Sequence, residues 1–239
     1  MLFPSSKAHY LYEALFDWQS PLSLWETSES LKDLLGDDIL STRDAGDMEI
    51  KRVLEGWVMG KSLSMAYHGS PALVRVARTP SLDGQIYFER LIGSVEVTQA
   101  LYPGRKRNVF GKPFAGFMPP APVMAHEQSA YEQYRDEFIR QAFLLVEARI
   151  EHKFQLYRQL DYLLVYVDLF DTQNPRFSYF ALQEFYEEYG DDLEARLALR
   201  FKTRWSAKIS HLFLLDDRPS GFVTRFAPTD STHVELSLA

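Results

Sequence analysis

Cysteine is absent from the 239 residues of this chain. That excludes disulfides and thiolate-bound metal, and it fits a reducing compartment. Long apolar runs are missing too. No window approaches the roughly 18 uncharged apolar residues of a spanning helix, so no membrane partner is expected. The opening Met1-Leu2-Phe3-Pro4-Ser5-Ser6-Lys7 lacks a basic start followed by an apolar stretch, so the expectation is no signal peptide and a cytoplasmic location. Basic residues, 26 Lys and Arg, are outnumbered by 33 Asp and Glu. A net charge of −7 disfavours whole-surface binding to nucleic acid or anionic lipid.

Familiar chemical signatures are also lacking. There is no G-x-x-x-x-G-K-[ST] phosphate loop, no G-x-G-x-x-G, no G-x-S-x-G elbow and no H-E-x-x-H. His9, His68, His126, His152, His211 and His233 are scattered without ligand spacing, which disfavours a zinc site.

What is present is an ordinary globular composition, 46% hydrophobic and 25% charged, in a chain long enough for one large core. The 17 Phe, 13 Tyr and 4 Trp are a heavy aromatic load that belongs in the core or on partner surfaces.

The pattern of apolar residues predicts an α/β (α+β) fold. A helical N-terminal extension covers residues 1–44, with Ser20-Pro21 as a helix start and Gly36 as a stop. A domain then covers residues 45–239. It begins with a helix from Asp47 whose stripe is Ile50, Val53, Leu54, Trp57 and Val58. The period then changes to that of strands at 72–78, 85–90 and 94–99, an antiparallel three-strand meander. Its turns are placed at Asp83-Gly84 and Ile92-Gly93. A proline-rich, basic loop covers 101–124. A long helix follows over 129–160, with Ile139, Phe143, Val146, Ile150, Phe154 and Tyr157 as its buried stripe. The run 162–170 reads as a central strand covered on both faces, and the chain ends in a helical region at 179–201, broken at Gly190, and two late strands.

The candidate chemistry lies in carboxylates of the meander. With a turn at Ile92-Gly93, residue 90 pairs with 95 and Glu89 faces Glu96 directly. Opposed like charges destabilise a sheet pair, and a Mg²⁺ or Mn²⁺ between them removes the repulsion. Asp83 is the alternative acidic partner. On this reading Asp83, Glu89 and Glu96 are the candidate metal ligands.

The element order, with the string Ile92-Gly93-Ser94-Val95-Glu96-Val97-Thr98-Gln99-Ala100, resembles the PD-(D/E)xK, or restriction-endonuclease-like, superfamily over about residues 45–170. The resemblance rests mainly on the order of helix, meander, long helix and central strand, with one short motif. It implies a central mixed sheet flanked by helices and a divalent-metal-dependent nuclease. Glu96 would be the metal-binding carboxylate of the third strand, with Asp83 or Glu89 as partner and Glu49 as the acid contributed by the first helix. The lysine of the motif is replaced by Thr98, followed by Gln99. Lys153, at the edge of the long helix's stripe, or Gln99 would then position the attacking water. Arg105-Lys106-Arg107 would contact nucleic-acid phosphates. The missing lysine, the acidic balance and the aromatic surplus favour a second expectation: a non-catalytic, protein-binding module of immunity or regulatory type on the same fold.

Overall fold

The computed structural model describes residues 5–42, 48–79, 81–102, 120–171, 173–216 and 222–227, with no side-chain description for 37–42 and 222–223. Helices α1 (Ser6–Ala14), α2 (Pro21–Thr42) and α3 (Met48–Ala66) lead into strands β1 (Leu73–Val76), β2 (Gly84–Phe88) and β3 (Leu91–Leu101). Helix α4 (Gln128–Leu156) crosses to strand β4 (Leu160–Asp168). Helices α5 (Pro175–Glu188) and α6 (Gly190–Thr203) precede strands β5 (Ile209–Asp216) and β6 (Phe222–Phe226). Pro21 and Pro175 open their helices, and Gly36 interrupts α2 with φ 73°. The protein is an α+β fold built on one mixed sheet flanked by helices, as the sequence predicts.

The six strands lie in the order β1-β2-β3-β4-β5-β6. β1–β2–β3 is the antiparallel meander, β3, β4 and β5 run parallel, and β6 returns antiparallel to β5. A parallel pair needs a long crossover, which α4 supplies between β3 and β4 and α5–α6 between β4 and β5.

The two faces are covered by different helices. Tyr162, Leu164 and Tyr166 of β4 join the core built with α1, α2 and α3. Leu163, Val165 and Val167 join the core built with α4, α5 and α6. That alternation is the two-residue period of a strand, and burial on both faces is why β4 reads as a nearly continuous apolar run. The N-terminal helices contribute Leu15, Leu24 and Leu31 to the same cluster as α3 and the sheet. No described helix is long and apolar enough to cross a membrane.

Three local expectations are corrected. The β2–β3 turn falls at Glu89-Arg90, both with positive φ (51° and 68°), and not at Ile92-Gly93. Gly93 lies inside β3, where a Cβ would stand 2.8 Å from Tyr162 Cε2. Its missing side chain serves close packing and not a turn. Gly84 likewise opens β2 and is not a turn residue; a Cβ there would collide with Met59 of α3. On α4 the buried stripe is rotated by one residue. Phe138 and Ala142 are buried with Val146 and Ile150, while Ile139 and Phe143 are half-buried. The Asp47 cap lies outside the described residues.

Candidate functional site

The corrected turn changes which acids meet. β2 and β3 pair with Phe88 opposite Leu91 and Gly84 opposite Val95. Extended by one residue, that register sets Asp83 opposite Glu96. Glu89 is instead an exposed turn residue, so the expected Glu89–Glu96 pairing is wrong by six positions in the sum of partner numbers (90 with 95 expected, 84 with 95 found). Gly93 carries the sequence signal of a turn, but two residues with side chains, Glu89 and Arg90, make it.

β3 continues to Leu101, but β2 leaves it after the Gly84–Val95 pair. The edge of β3 from Glu96 onward therefore loses its strand partner on that side. The Asp83 carboxylate fills the gap, accepting the Val97 N–H at its Oδ2 (2.9 Å). This fork is where the charged side chains gather.

From α3 come three residues at helical spacing. Lys51 Nζ lies 2.9 Å from Glu55 Oε1 and 3.2 Å from Asp83 Oδ1. Arg52 donates to Glu55 Oε2 (2.6 Å), to the Leu82 carbonyl (3.2 Å) and to the Thr79 carbonyl (2.8 Å), which pins the β1–β2 connection to the helix. From the far end of α4, Lys153 is ion-paired and hydrogen-bonded to Glu96. Tyr157, the C-cap of that helix, hydrogen-bonds Glu96 as well. Both faces of the sheet thus deliver charged groups to one fork.

Burial sets the protonation states. Asp83, Glu55, Arg52 and Glu96 are all buried. Burial, then the hydrogen bond to Asp83 and the Asp83 charge, push the Glu55 carboxyl up to about 8, so it carries a proton at neutral pH. Burial alone would raise Asp83 as well, but hydrogen bonds from Glu55 and the Val97 N–H, with Lys51 beside them, hold it below the ordinary carboxylate range. Burial and the neighbouring Asp83 charge raise Glu96, against the pull of Lys153 and Tyr157. Two adjacent carboxyls pushed in opposite directions are a recurring feature of acid–base sites. Lys51, half exposed, carries the cluster to solvent.

Of the residues singled out in the sequence, Asp83, Glu96 and Lys153 come together. Glu89 does not. Glu49 sits in the first turn of α3 with its charge acting on Tyr12; it is two residues from Lys51, more than half a turn round the helix. Glu55 takes the place expected of it. Gln99 is three residues from Glu96 along β3, so its side chain leaves the opposite face, the one to which Val95 and Val97 contribute. Its buried Nε2 has no hydrogen-bond partner among the described residues. Arg105, Lys106 and Arg107 lie outside the described residues.

Lys51, Arg52 and Glu55 were not read from the sequence, and Tyr157 was expected only in the apolar stripe of the long helix. The signal for the first three was there: charges inside an apolar helix, with Glu55 four residues after Lys51 and three after Arg52.

Among the described residues no three His, Asp or Glu side chains converge as a ready-made metal site. The donor chemistry still suits a hard cation. Mg²⁺ takes one or two protein carboxylates and fills its other positions with water and phosphate oxygens, and Asp83 and Glu96 are the carboxylates of the fork that could serve as such ligands. No family model, curated protein or solved structure matches the chain.

Proposed function

We propose that the fork is the active site of a divalent-cation-dependent phosphodiesterase acting on nucleic acid, of the PD-(D/E)xK type. The observation that carries this reading is the meeting of Asp83 and Glu96 across the β2–β3 register, with Lys153 on Glu96. The order of α3, meander, α4 and β4 supports it. On this reading Lys153 of α4, paired with Glu96, would stand in for the lysine that Thr98 does not supply on the strand.

Asp83 and Glu96 would hold Mg²⁺ or Mn²⁺. The chemistry that such an ion supplies is Lewis acidity toward a phosphoryl oxygen and a lowered pKa for a bound water. The chain's own groups do the rest. Glu55, protonated at neutral pH, donates to Asp83 and keeps that carboxylate anionic. The Lys153 ammonium orients a water beside Glu96 and meets negative charge as it develops on the phosphate. With Glu55 neutral, the cluster holds three cations (Lys51, Arg52, Lys153) against two carboxylates (Asp83, Glu96), a surplus of one positive charge that suits a phosphodiester. Arg105, Lys106 and Arg107 remain the proposed contacts to flanking phosphates.

The test is cleavage of single- and double-stranded DNA and RNA with Mg²⁺ or Mn²⁺ and with chelator. Wild type should cut in a metal-dependent way, and D83N, E96Q and K153M should each lose at least about 10²-fold. Metal-dependent cutting that survives E96Q would overturn the assignment.

One observation favours a second reading, a non-catalytic protein-binding module on the same architecture. Each carboxylate of the fork already has a basic partner, Asp83 with Lys51 and Glu96 with Lys153. A closed set of ion pairs can simply be structural. Absence of cutting and of any metal response would favour it.

A further inference from the structure

The outer face of α6 carries a charge pattern that runs against the rest of the chain. The protein has a net charge of −7, yet residues 195–215 contain five Lys or Arg and no Asp or Glu. Arg196, Arg200, Lys202 and Arg204 are exposed, and Lys208 is half-buried. The helix dipole accounts for Arg200 and Lys202, which sit in the last turn of α6. It does not account for Arg196, which precedes that turn, or for Arg204 and Lys208, which lie beyond the helix.

A stripe of α4 holds three of these cations in place. Phe143, Glu147, Glu151 and Phe154 recur at helical spacing on the flank of α4 that meets α6. The Arg196 guanidinium lies over the Phe143 ring (5.5 Å to the centroid) and is paired with Glu147, its Nη2 donating to Oε2 (3.0 Å). Arg204 donates to Glu151 Oε1 (2.6 Å) and lies over the Phe154 ring (5.3 Å). Lys208 lies against that same ring (4.6 Å) and donates to the Phe154 carbonyl (3.1 Å). No carboxylate pairs with Arg200, Lys202 or Lys208 among the described residues. Five cations meet two carboxylates, which leaves a surplus of three positive charges. Gathered like charges repel one another, and an anion carrying several spaced charges relieves that repulsion.

The shape of the patch narrows the class of anion. α6 buries Leu193, Leu197 and Phe201 in the core and exposes Leu199 (63%) beside the arginines. A bilayer surface needs a broad apolar face next to the charges, and one leucine does not make it. A phosphate backbone needs only spaced cations. Glu151 and Lys153 are two residues apart, about 200° round α4, so this helix turns one flank to the patch and the other to the fork. Roughly 10 Å, the width of that helix, separates the two.

We infer that the face formed by Arg196, Arg200, Lys202, Arg204 and Lys208 binds the phosphate backbone of the nucleic acid that the fork cuts. The strand is held beside α4, while Lys153 meets the scissile phosphate on the other flank of the same helix. The inference rests on the proposed function for the identity of the polyanion, but none of its residues belongs to the fork.

The test is fluorescence anisotropy of labelled single- and double-stranded DNA and RNA oligonucleotides with the full chain in chelator, at about 50 and 200 mM salt. Wild type should bind, and more weakly at the higher salt. R200Q/K202Q, at two exposed positions, should raise Kd at least about tenfold and reduce the slope of log Kd against log salt by about 2. E147Q, which frees Arg196 from its acid, should tighten binding, and E89Q should bind like wild type. Cleavage assays separate the two sites. Cutting by R200Q/K202Q with an unchanged KM would overturn the patch and leave the fork standing, whereas patch-dependent binding without any cutting would overturn the fork alone. No binding by wild type, an unchanged Kd in a folded R200Q/K202Q, or a preference for phosphatidylserine vesicles over every oligonucleotide would also overturn the inference.

Discussion

Lys153, in the last turn of α4, pairs with Glu96 of β3 across 57 residues of sequence. Both groups are largely withdrawn from water, so removing one leaves the other as a buried, uncompensated charge. K153M should lower stability at pH 7 by about 2 kcal/mol, and less toward acid pH, because burial and the Asp83 charge already raise the Glu96 carboxyl. The double variant K153M/E96Q should recover most of the loss. Urea denaturation of the three proteins measures this, and an additive double variant would contradict it.

Glu55 should make stability fall with rising pH. Its folded pKa, about 8, lies above the ordinary glutamate value of 4.5, so the folded state keeps a proton that the unfolded chain releases. The stabilisation is complete below pH 4.5 and is lost as pH rises through about 8. The whole loss is of order 5 kcal/mol, at about 1.36 kcal/mol for each pKa unit between the two values. E55Q, neutral at every pH, should flatten that slope and exceed wild type at pH 9. Equilibrium unfolding in metal-free buffer between pH 5 and 9 decides it.

The β2–β3 turn offers a paired prediction on backbone freedom. Glu89 and Arg90 hold positive φ with side chains attached, while Gly93 sits in extended strand. Replacing Glu89-Arg90 by Asn-Gly should stabilise by about 0.5–1 kcal/mol, because those residues adopt positive φ at little cost. G93A should destabilise by about 1–3 kcal/mol, because its Cβ must displace the Tyr162 ring. Thermal melts of both variants check the two signs.

These residues also show what the sequence made legible. Strong periodicity located every strand and every helix of the sheet's two layers, and β4, apolar on both faces, announced its central place. Lys153 was legible because it breaks an apolar stripe at its edge. The register was not. A hairpin turn made of Glu-Arg carries no glycine or asparagine to announce it, and Gly93, placed by the needs of Tyr162, imitated the missing signal. Shifting the turn exchanged Glu89 for Asp83 as the acid facing Glu96. Glu55 was hidden for a related reason. Helix α3 is buried on nearly all sides, so a single apolar stripe does not describe it, and Glu49 at its exposed start looked the better candidate.

Because the turn removes Glu89 from the fork, E89Q should leave cutting, metal response and stability within about 0.5 kcal/mol of wild type. A loss of activity in E89Q comparable to that in E96Q would show that the Asp83 register is not the functional one.

The most direct test is Mn²⁺ binding to chelator-treated protein, followed by calorimetry and by thermal shift. If Asp83 and Glu96 form a cation site, wild type should bind and gain stability as RT ln(1 + [L]/Kd), and D83N and E96Q should each lose the response while E89Q keeps it. Equal Mn²⁺ binding by wild type and a folded D83N/E96Q variant, or none by either, would contradict the account.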